Sequence, residues 1–174
     1  ALERAVIYLY LFKGVAVTFA ESINTVSRDL KNVKPTMMTG VPRVYEKLHA
    51  KILDTVSKTS NVRQKIFAWA LRVGHACSAV ERVGKDPSLF MNLQRYLADF
   101  LVCSKIRKRM GGRLRFVVSG GAALSKAVAE FLFSLGVPVL EGYGLTETSP
   151  VLTANPQFAP RLGTVGKAIP GVKI

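Results

Sequence analysis

RLRFVVSGGAALSKAVAEFLFSLGVPVLEGYGLTETSP, from Arg113 to Pro150, is the stretch on which the reading of the whole chain turns. Arg113 to Val118 alternates basic and apolar residues and then becomes wholly apolar, as a strand entering a buried sheet does, and Ser119-Gly120-Gly121 stops it. Ser125 is placed to cap a helix whose apolar Val128, Phe131, Leu132 and Leu135 recur at helical spacing, and Gly136 with Pro138 ends it. Val137 to Glu141 reads as a second strand. Strand, helix and strand within about 30 residues form a parallel crossover unit, and such units take ligands in the crevice beyond the carboxyl ends of their strands. Both glycine-rich loops, SGGAAL and EGYGLTETSP, fall there.

Upstream, Val15 to Ala20 reads as a strand, Ser22 as the cap of a helix through Val33, and Thr36 to Thr39 as a further strand after Pro35, which makes a first crossover unit. Leu2 to Leu11 is apolar but too short for periodicity to separate helix from buried strand. Pro42 suits the first position of a helix with Val44, Leu48, Ile52 and Val56 on one face, ending near Ser57. Two further helices, Asn61 to Gly84 and Pro87 to Met110, are expected to form a hairpin across the GKDP turn. Their apolar faces are Ile66, Ala70, Val73 and Ala76 on one and Phe90, Leu93, Leu97 and Leu101 on the other. The final segment, PQFAPRLGTVGKAIPGVKI, reads as loop and the start of a hairpin or barrel. The fold class expected is α/β, a parallel sheet with crossover helices plus a long helical hairpin. It forms one domain whose parts are residues 1–60, 61–110, 113–150 and 151–174.

With 49% hydrophobic and 21% charged residues among 174, the chain is globular and not disordered. Its formal net charge of +14 is lopsided: up to Arg115 there are 21 Lys plus Arg against 8 Asp plus Glu, and beyond it 4 against 3. The densest run is Lys105, Arg107, Lys108, Arg109, Arg113 and Arg115, with no aromatic residue between Lys105 and Arg115 on which a base could stack, so nucleic acid is disfavoured. A solvated helix end fits best, and contact with an anionic membrane surface stays open. Cys77 and Cys103 lack the spacing of a zinc or disulfide framework and read as buried thiols, and His49 and His75 stand alone. The apolar run Ala5 to Phe12 is far short of a membrane span, so a cytoplasmic place is expected. The sequence begins at Ala1 and stops at Ile174 within an apolar piece, and we expect it to be part of a longer protein.

SGGAAL alone could serve merely to carry the backbone past a neighbouring strand. GYGLTETSP says more, because it gathers an aromatic between two glycines, three hydroxyls and a carboxylate directly after a buried strand. Those parts suit a nucleotide: Tyr143 offers a π-face to a base, Gly142 and Gly144 let backbone approach, Thr146 can donate to a phosphate, and Glu147 is a hard oxygen ligand for Mg²⁺.

Through GGRLRFVVSGGAALS, EGYGLTETSP, GTVGKAIPGVKI and KPTMMTGVPRVYEKL, the chain resembles the adenylate-forming (AMP-binding) superfamily and, within it, the long-chain fatty acyl-CoA synthetases. The resemblance implies the central part of a large N-terminal domain using ATP, Mg²⁺ and CoA, with a fatty acid as substrate. It implies that Tyr143 stacks on adenine, Thr146 contacts the α-phosphate and Glu147 helps hold the metal, the last two being the catalytic pair. Gly121, Ala122 and Ala123 would line the adenine and acyl pocket through backbone, Glu141 and Gly142 would meet the adenine edge, and Tyr45 would either gate an acyl tunnel or pack on the core. The family's phosphate loop, ribose-binding aspartate and C-terminal lysine have no counterpart in these 174 residues, so the chain by itself is expected to be inactive. Ligases for aryl or amino acids share the same motifs, and a basic module for membrane or nucleic acid is the alternative of another class.

Overall fold

Three short parallel strands make the centre of the sheet: β1 (Met37–Gly40), β2 (Phe116–Ser119) and β3 (Val139–Tyr143). The computed structural model describes residues 2–148, 151–156 and 160–174. β1 pairs with β2 from Met37 opposite Phe116 to Gly40 opposite Ser119, and β2 with β3 from Val117 opposite Val139 to Ser119 opposite Glu141. Beyond β3 the sheet turns antiparallel, adding β4 (Thr153–Ala154) and β5 (Lys167–Ala168) in the order β1-β2-β3-β4-β5. The expected α/β architecture holds for the three central strands. The connection from β3 to β4 is shorter than the dozen or so residues a parallel crossover needs, so the chain folds straight back as a hairpin. Ser149 and Pro150 of the second loop motif and the stretch 157–159 of the final segment lie outside the described residues.

The helices are α1 (Leu2–Phe12), α2 (Val26–Val33), α3 (Pro42–Ser57), α4 (Asn61–Arg82), α5 (Leu89–Ala98), α6 (Ser104–Arg109) and α7 (Lys126–Ser134). The unit β2-α7-β3 forms as its pattern predicts. Val128, Phe131, Leu132 and Leu135 are buried, Gly136 ends the helix at φ 75°, and the Leu135 and Gly136 N–H groups close its last turn. Ser125 sits at the capping position, but its side chain makes no capping bond.

Upstream the structure corrects three expectations. Val15 to Ala20 forms no strand: among the described residues no neighbour pairs with it, and β-branched residues alone do not make one. Helix α2 begins at Val26 rather than after Ser22, because Ser22 and Thr25 bond to each other in a separate turn (Ser22 N–H to Thr25 Oγ1 3.0 Å, Thr25 N–H to Ser22 O 3.1 Å). The first crossover unit is therefore a long one, from β1 through α3, α4, α5 and α6 to β2.

The third correction concerns the helical hairpin. Its second arm is continuous but contains a π-helical turn, Asp99–Cys103, between α5 and α6. The fully buried positions Ala98, Cys103, Ile106 and Met110 take a step of five across that turn, and before it Met91 and Gln94 are half-buried. The wider turn rotates the phase of the arm beyond Ala98, and before it the inner face, Met91, Gln94 and Ala98, lies one position on from the large apolar residues. Phe90, Leu93, Leu97 and Leu101, expected inside, are exposed. On α4 the inner face is Phe67, Ala70, Val73 and Cys77, one position on from Ile66 and Ala76. Where α4 crosses α7, a Cβ on Gly74 would lie 2.1 Å from the Ser134 carbonyl oxygen, so only glycine permits that approach. Arg107 closes the same corner, donating to Leu135 O (2.8 Å) at the end of α7 and pairing with Asp99 across the π turn.

Candidate nucleotide site

Ser119, the last residue of β2, lies opposite Glu141 of β3, and both glycine-rich loops leave from that edge. Gly120 N–H reaches Gly40 O (3.3 Å), tying the first loop to β1 as well. Gly121 takes φ 84°, Ala122 and Ala123 are exposed, and Leu124 turns inward as a buried anchor before α7. Backbone at Gly121, Ala122 and Ala123 is therefore open to a ligand.

Glu141 lies on the inner side of this edge. It is buried, its Oε2 accepts the Leu124 N–H (3.3 Å), and its carbonyl oxygen accepts the Asn155 N–H (2.8 Å). Burial raises its carboxyl pKa above the ordinary range, and the Leu124 N–H partly offsets this by favouring the charged form. Gly142 is half-buried, and Tyr143 is 45% exposed, its ring in reach of solvent. The chain then passes Gly144 into one 3₁₀ turn, Thr146–Thr148, where Thr148 Oγ1 accepts the Leu145 N–H (3.0 Å). Thr146 and Glu147 stand exposed on that turn. The Leu152 N–H returns to Tyr143 O (2.8 Å), closing the hairpin beneath them.

Tyr45 is fully buried below this edge, its hydroxyl donating to Val118 O (2.7 Å), and burial pushes its phenol pKa strongly up. It stands among core residues of α3 and the sheet. His49, one turn on, stacks on Phe131 with ring centroids 4.4 Å apart, and burial lowers its pKa. Cys77 and Cys103 are buried free thiols, that of Cys103 pushed up to about 11 mainly by burial.

Among the described residues no cluster of three or more His, Cys, Asp or Glu could hold a metal by itself. A lone exposed carboxylate such as Glu147 fits Mg²⁺, which is commonly held by one or two carboxylates together with substrate phosphates. A concavity of about 950 Å³ lies elsewhere, between α4, α5 and the end of α7. It carries Arg82, Arg95 and Arg107 and meets β3 only at Pro138, at the end of the strand away from the loops. Of the basic run, Arg107 is committed to Leu135 O and Asp99, while Lys105, Lys108, Arg109, Arg113 and Arg115 are exposed. No described helix is long and apolar enough to cross a membrane.

Sequence reasoning passed over Asn155. It is buried, its Nδ2 donates to Thr164 O (2.7 Å), and its own N–H holds Glu141 O. The only signal was its place before Pro156, which reads as ordinary turn punctuation.

Comparison with known proteins gives the family. The family model described as AMP-binding enzyme matches residues 1–174. The putative fatty-acid–CoA ligase fadD11 of Mycobacterium tuberculosis is 37% identical over 169 residues, covering 96% of this chain and 30% of that protein. The long-chain-fatty-acid–CoA ligase ACSBG2 of Rattus norvegicus is 36% identical over 96% of this chain and 25% of its own length. A solved structure of the anthranilate CoA ligase AuaEII in complex with anthranoyl-AMP aligns with a TM-score of 0.48 and 20% identity, over 90% of this chain and 21% of that one. The chain thus spans under a third of the length of these relatives. With its whole length matched by the family model, the chain belongs to the AMP-binding enzyme family.

Proposed function

We propose that this chain is the nucleotide-binding part of an ATP-dependent long-chain fatty acid–CoA ligase. In the reaction a fatty carboxylate attacks the α-phosphate of ATP to give acyl-AMP and pyrophosphate, and the thiol of CoA then displaces AMP to form the thioester. One observation carries the reading: two glycine-rich loops leave adjacent, in-register parallel strands, with an exposed aromatic, hydroxyl and carboxylate following in sequence. Ligands of open α/β sheets bind at such carboxyl ends. The long-chain acid rests on the relatives, since no described cavity at the loops reports a chain length.

In this assignment Tyr143 stacks on adenine, Gly142 meets the base edge, and Gly121, Ala122 and Ala123 line the pocket with backbone. Gly144 lets the phosphates approach the main chain, and Thr146 donates to the α-phosphate. Glu147 would hold Mg²⁺, which when bound offsets charge on the phosphates. Positioning and fixed charge supply the acceleration, as in other transfers at phosphorus. Tyr45, its hydroxyl committed to Val118 O, supports the end of β2.

The test is exchange of radiolabelled pyrophosphate into ATP by the full-length enzyme, with palmitate, an aryl acid or an amino acid in turn. Palmitate-dependent exchange, followed by acyl-CoA formation once CoA is added, is the expected result. Exchange with an aryl or amino acid and none with palmitate would overturn the choice of acid, and no exchange with any of them would overturn the reaction.

A further inference from the structure

The two nucleotide loops and the GTVG turn are far apart in sequence, yet one short line of hydrogen bonds joins them. Thr164 O accepts from Asn155 Nδ2 (2.7 Å), Asn155 N–H donates to Glu141 O (2.8 Å), and Glu141 Oε2 accepts the Leu124 N–H (3.3 Å). Each link is sheltered: Asn155 is 6% exposed, Glu141 8% and Leu124 5%. The GTVG turn is pressed against the same place, since a Cβ on Gly166 (φ 85°) would lie 2.1 Å from Ala154 O and 2.3 Å from the Asn155 nitrogen. Side chains of Ser119, Thr153 and Asn155 share this buried edge, and Ser119 Oγ, Thr153 Oγ1 and Asn155 Oδ1 find no partner among the described residues. Buried polar atoms without partners are costly and are retained where they serve a placement.

We propose that Asn155 and Glu141 are positioning residues that hold the SGGAAL loop, the start of the GYGLTET turn and the GTVG turn as one rigid frame for the nucleotide. The inference rests on the nucleotide reading above and deepens it, because neither side chain needs to touch the ligand. Glu141 fixes how far the SGGAAL backbone stands from β3, and Asn155 fixes β3 against the turn that follows β4. Loosening the frame lets the backbone of Gly121 to Ala123 drift from Tyr143, so nucleotide affinity falls while the reacting groups stay intact.

The experiment uses the full-length enzyme with Glu141→Leu, Glu141→Gln and Asn155→Ala, reading amide hydrogen exchange at Leu124 and the KM for ATP. Leu124 loses its acceptor in Glu141→Leu, and its amide should exchange about tenfold faster or more, whereas the Val117 and Val139 amides of the sheet keep their protection. Gln still offers an amide oxygen and should restore much of the protection. KM for ATP should rise on the order of tenfold in Glu141→Leu and Asn155→Ala, with a smaller change in kcat per titrated active site. A merely structural role would lower the fraction of active sites and leave KM alone, and that result overturns the proposal, as does unchanged Leu124 exchange in Glu141→Leu. If the parent enzyme consumes no ATP with any carboxylate, the functional reading fails, and the Leu124 exchange still decides the frame.

Discussion

The two connections that bring the chain back to its parallel sheet are built differently. From β2 to β3 the chain needs one nine-residue helix, α7, whose large apolar side chains all turn inward. From β1 to β2 it runs through four helices, and along α5 the large apolar residues face outward while Ala98, Cys103 and Ile106 make the seam. The short connection carries the SGGAAL loop and delivers β3, after which the polar GYGLTET turn follows. The long one is a scaffold, held by small residues in close contact and by Arg107 at the end of α7. Function and packing are thus separable here, and variants can be chosen that damage one and spare the other.

The sharpest separation should come from Glu147→Gln in the full-length enzyme. Its carboxylate is exposed and bonded to nothing among the described residues, so stability should not change, while pyrophosphate exchange should fall about a hundredfold or more through loss of the metal-holding charge. Binding of a preformed acyl-adenylate should weaken far less. Exchange at the parental rate would remove Glu147 from the chemistry and leave Thr146 to act alone in that turn.

The reverse separation should come from the scaffold. Gly74→Ala forces a Cβ into the Ser134 carbonyl, and the helices must move apart, with an expected loss of about 1–3 kcal/mol in unfolding free energy. Leu93→Ser, on the outward face of α5, should stay within about 0.5 kcal/mol. Denaturant titration compares them. Equal losses would mean that the outward face is covered after all and that the contrast between the two connections is weaker than drawn.

A subtler probe is Tyr143, half open at the site edge. Tyr143→Ala should weaken ATP binding by about 1–3 kcal/mol if stacking on a base carries over from single-stranded nucleic acids, and Tyr143→Phe should keep most of the affinity. Calorimetric titration with ATP measures both. Equal affinity in Tyr143→Ala and the parent would take the base away from this ring.

What the sequence disclosed follows the same division. β2, α7 and β3 were legible because their patterns are local, with Val128 to Leu135 repeating at helical spacing and Gly136 stopping them. The second arm was not, because in α5 the large apolar residues Phe90, Leu93 and Leu97 lie on the outer face, and beyond Ala98 a π turn that nothing in DFLVC announces shifts the phase. Val15 to Ala20 has the composition of a strand, but a strand needs a neighbour, and pairing is not written in the segment itself. In the site, Tyr143, Thr146 and Glu147 were visible from residue type alone. Asn155 was not, because its part comes from bonds to Glu141 and Thr164, and only the folded chain brings those together.

The smallest expected effect concerns acidity at the inner edge of the site. Glu141 titrates above its unfolded value of 4.5 because burial penalises the charged carboxylate more than the Leu124 N–H rewards it. No described cation pairs with it. A carboxyl group raised in this way contributes stability that is fully present below about pH 4.5 and is lost as the pH climbs through the folded-state value. Glutamine at this position cannot ionise and has no such loss. The thermal midpoint of the parent minus that of Glu141→Gln should therefore be greatest in acid, decline as the pH rises, and level off once the buried carboxyl is ionised. A difference that grows with pH would mean that the Leu124 N–H and its surroundings favour the carboxylate over the acid. The buried edge would then be a charged clasp rather than a shielded one, and the contrast between an open, reactive outer face and an apolar inner support would have to be redrawn at Glu141.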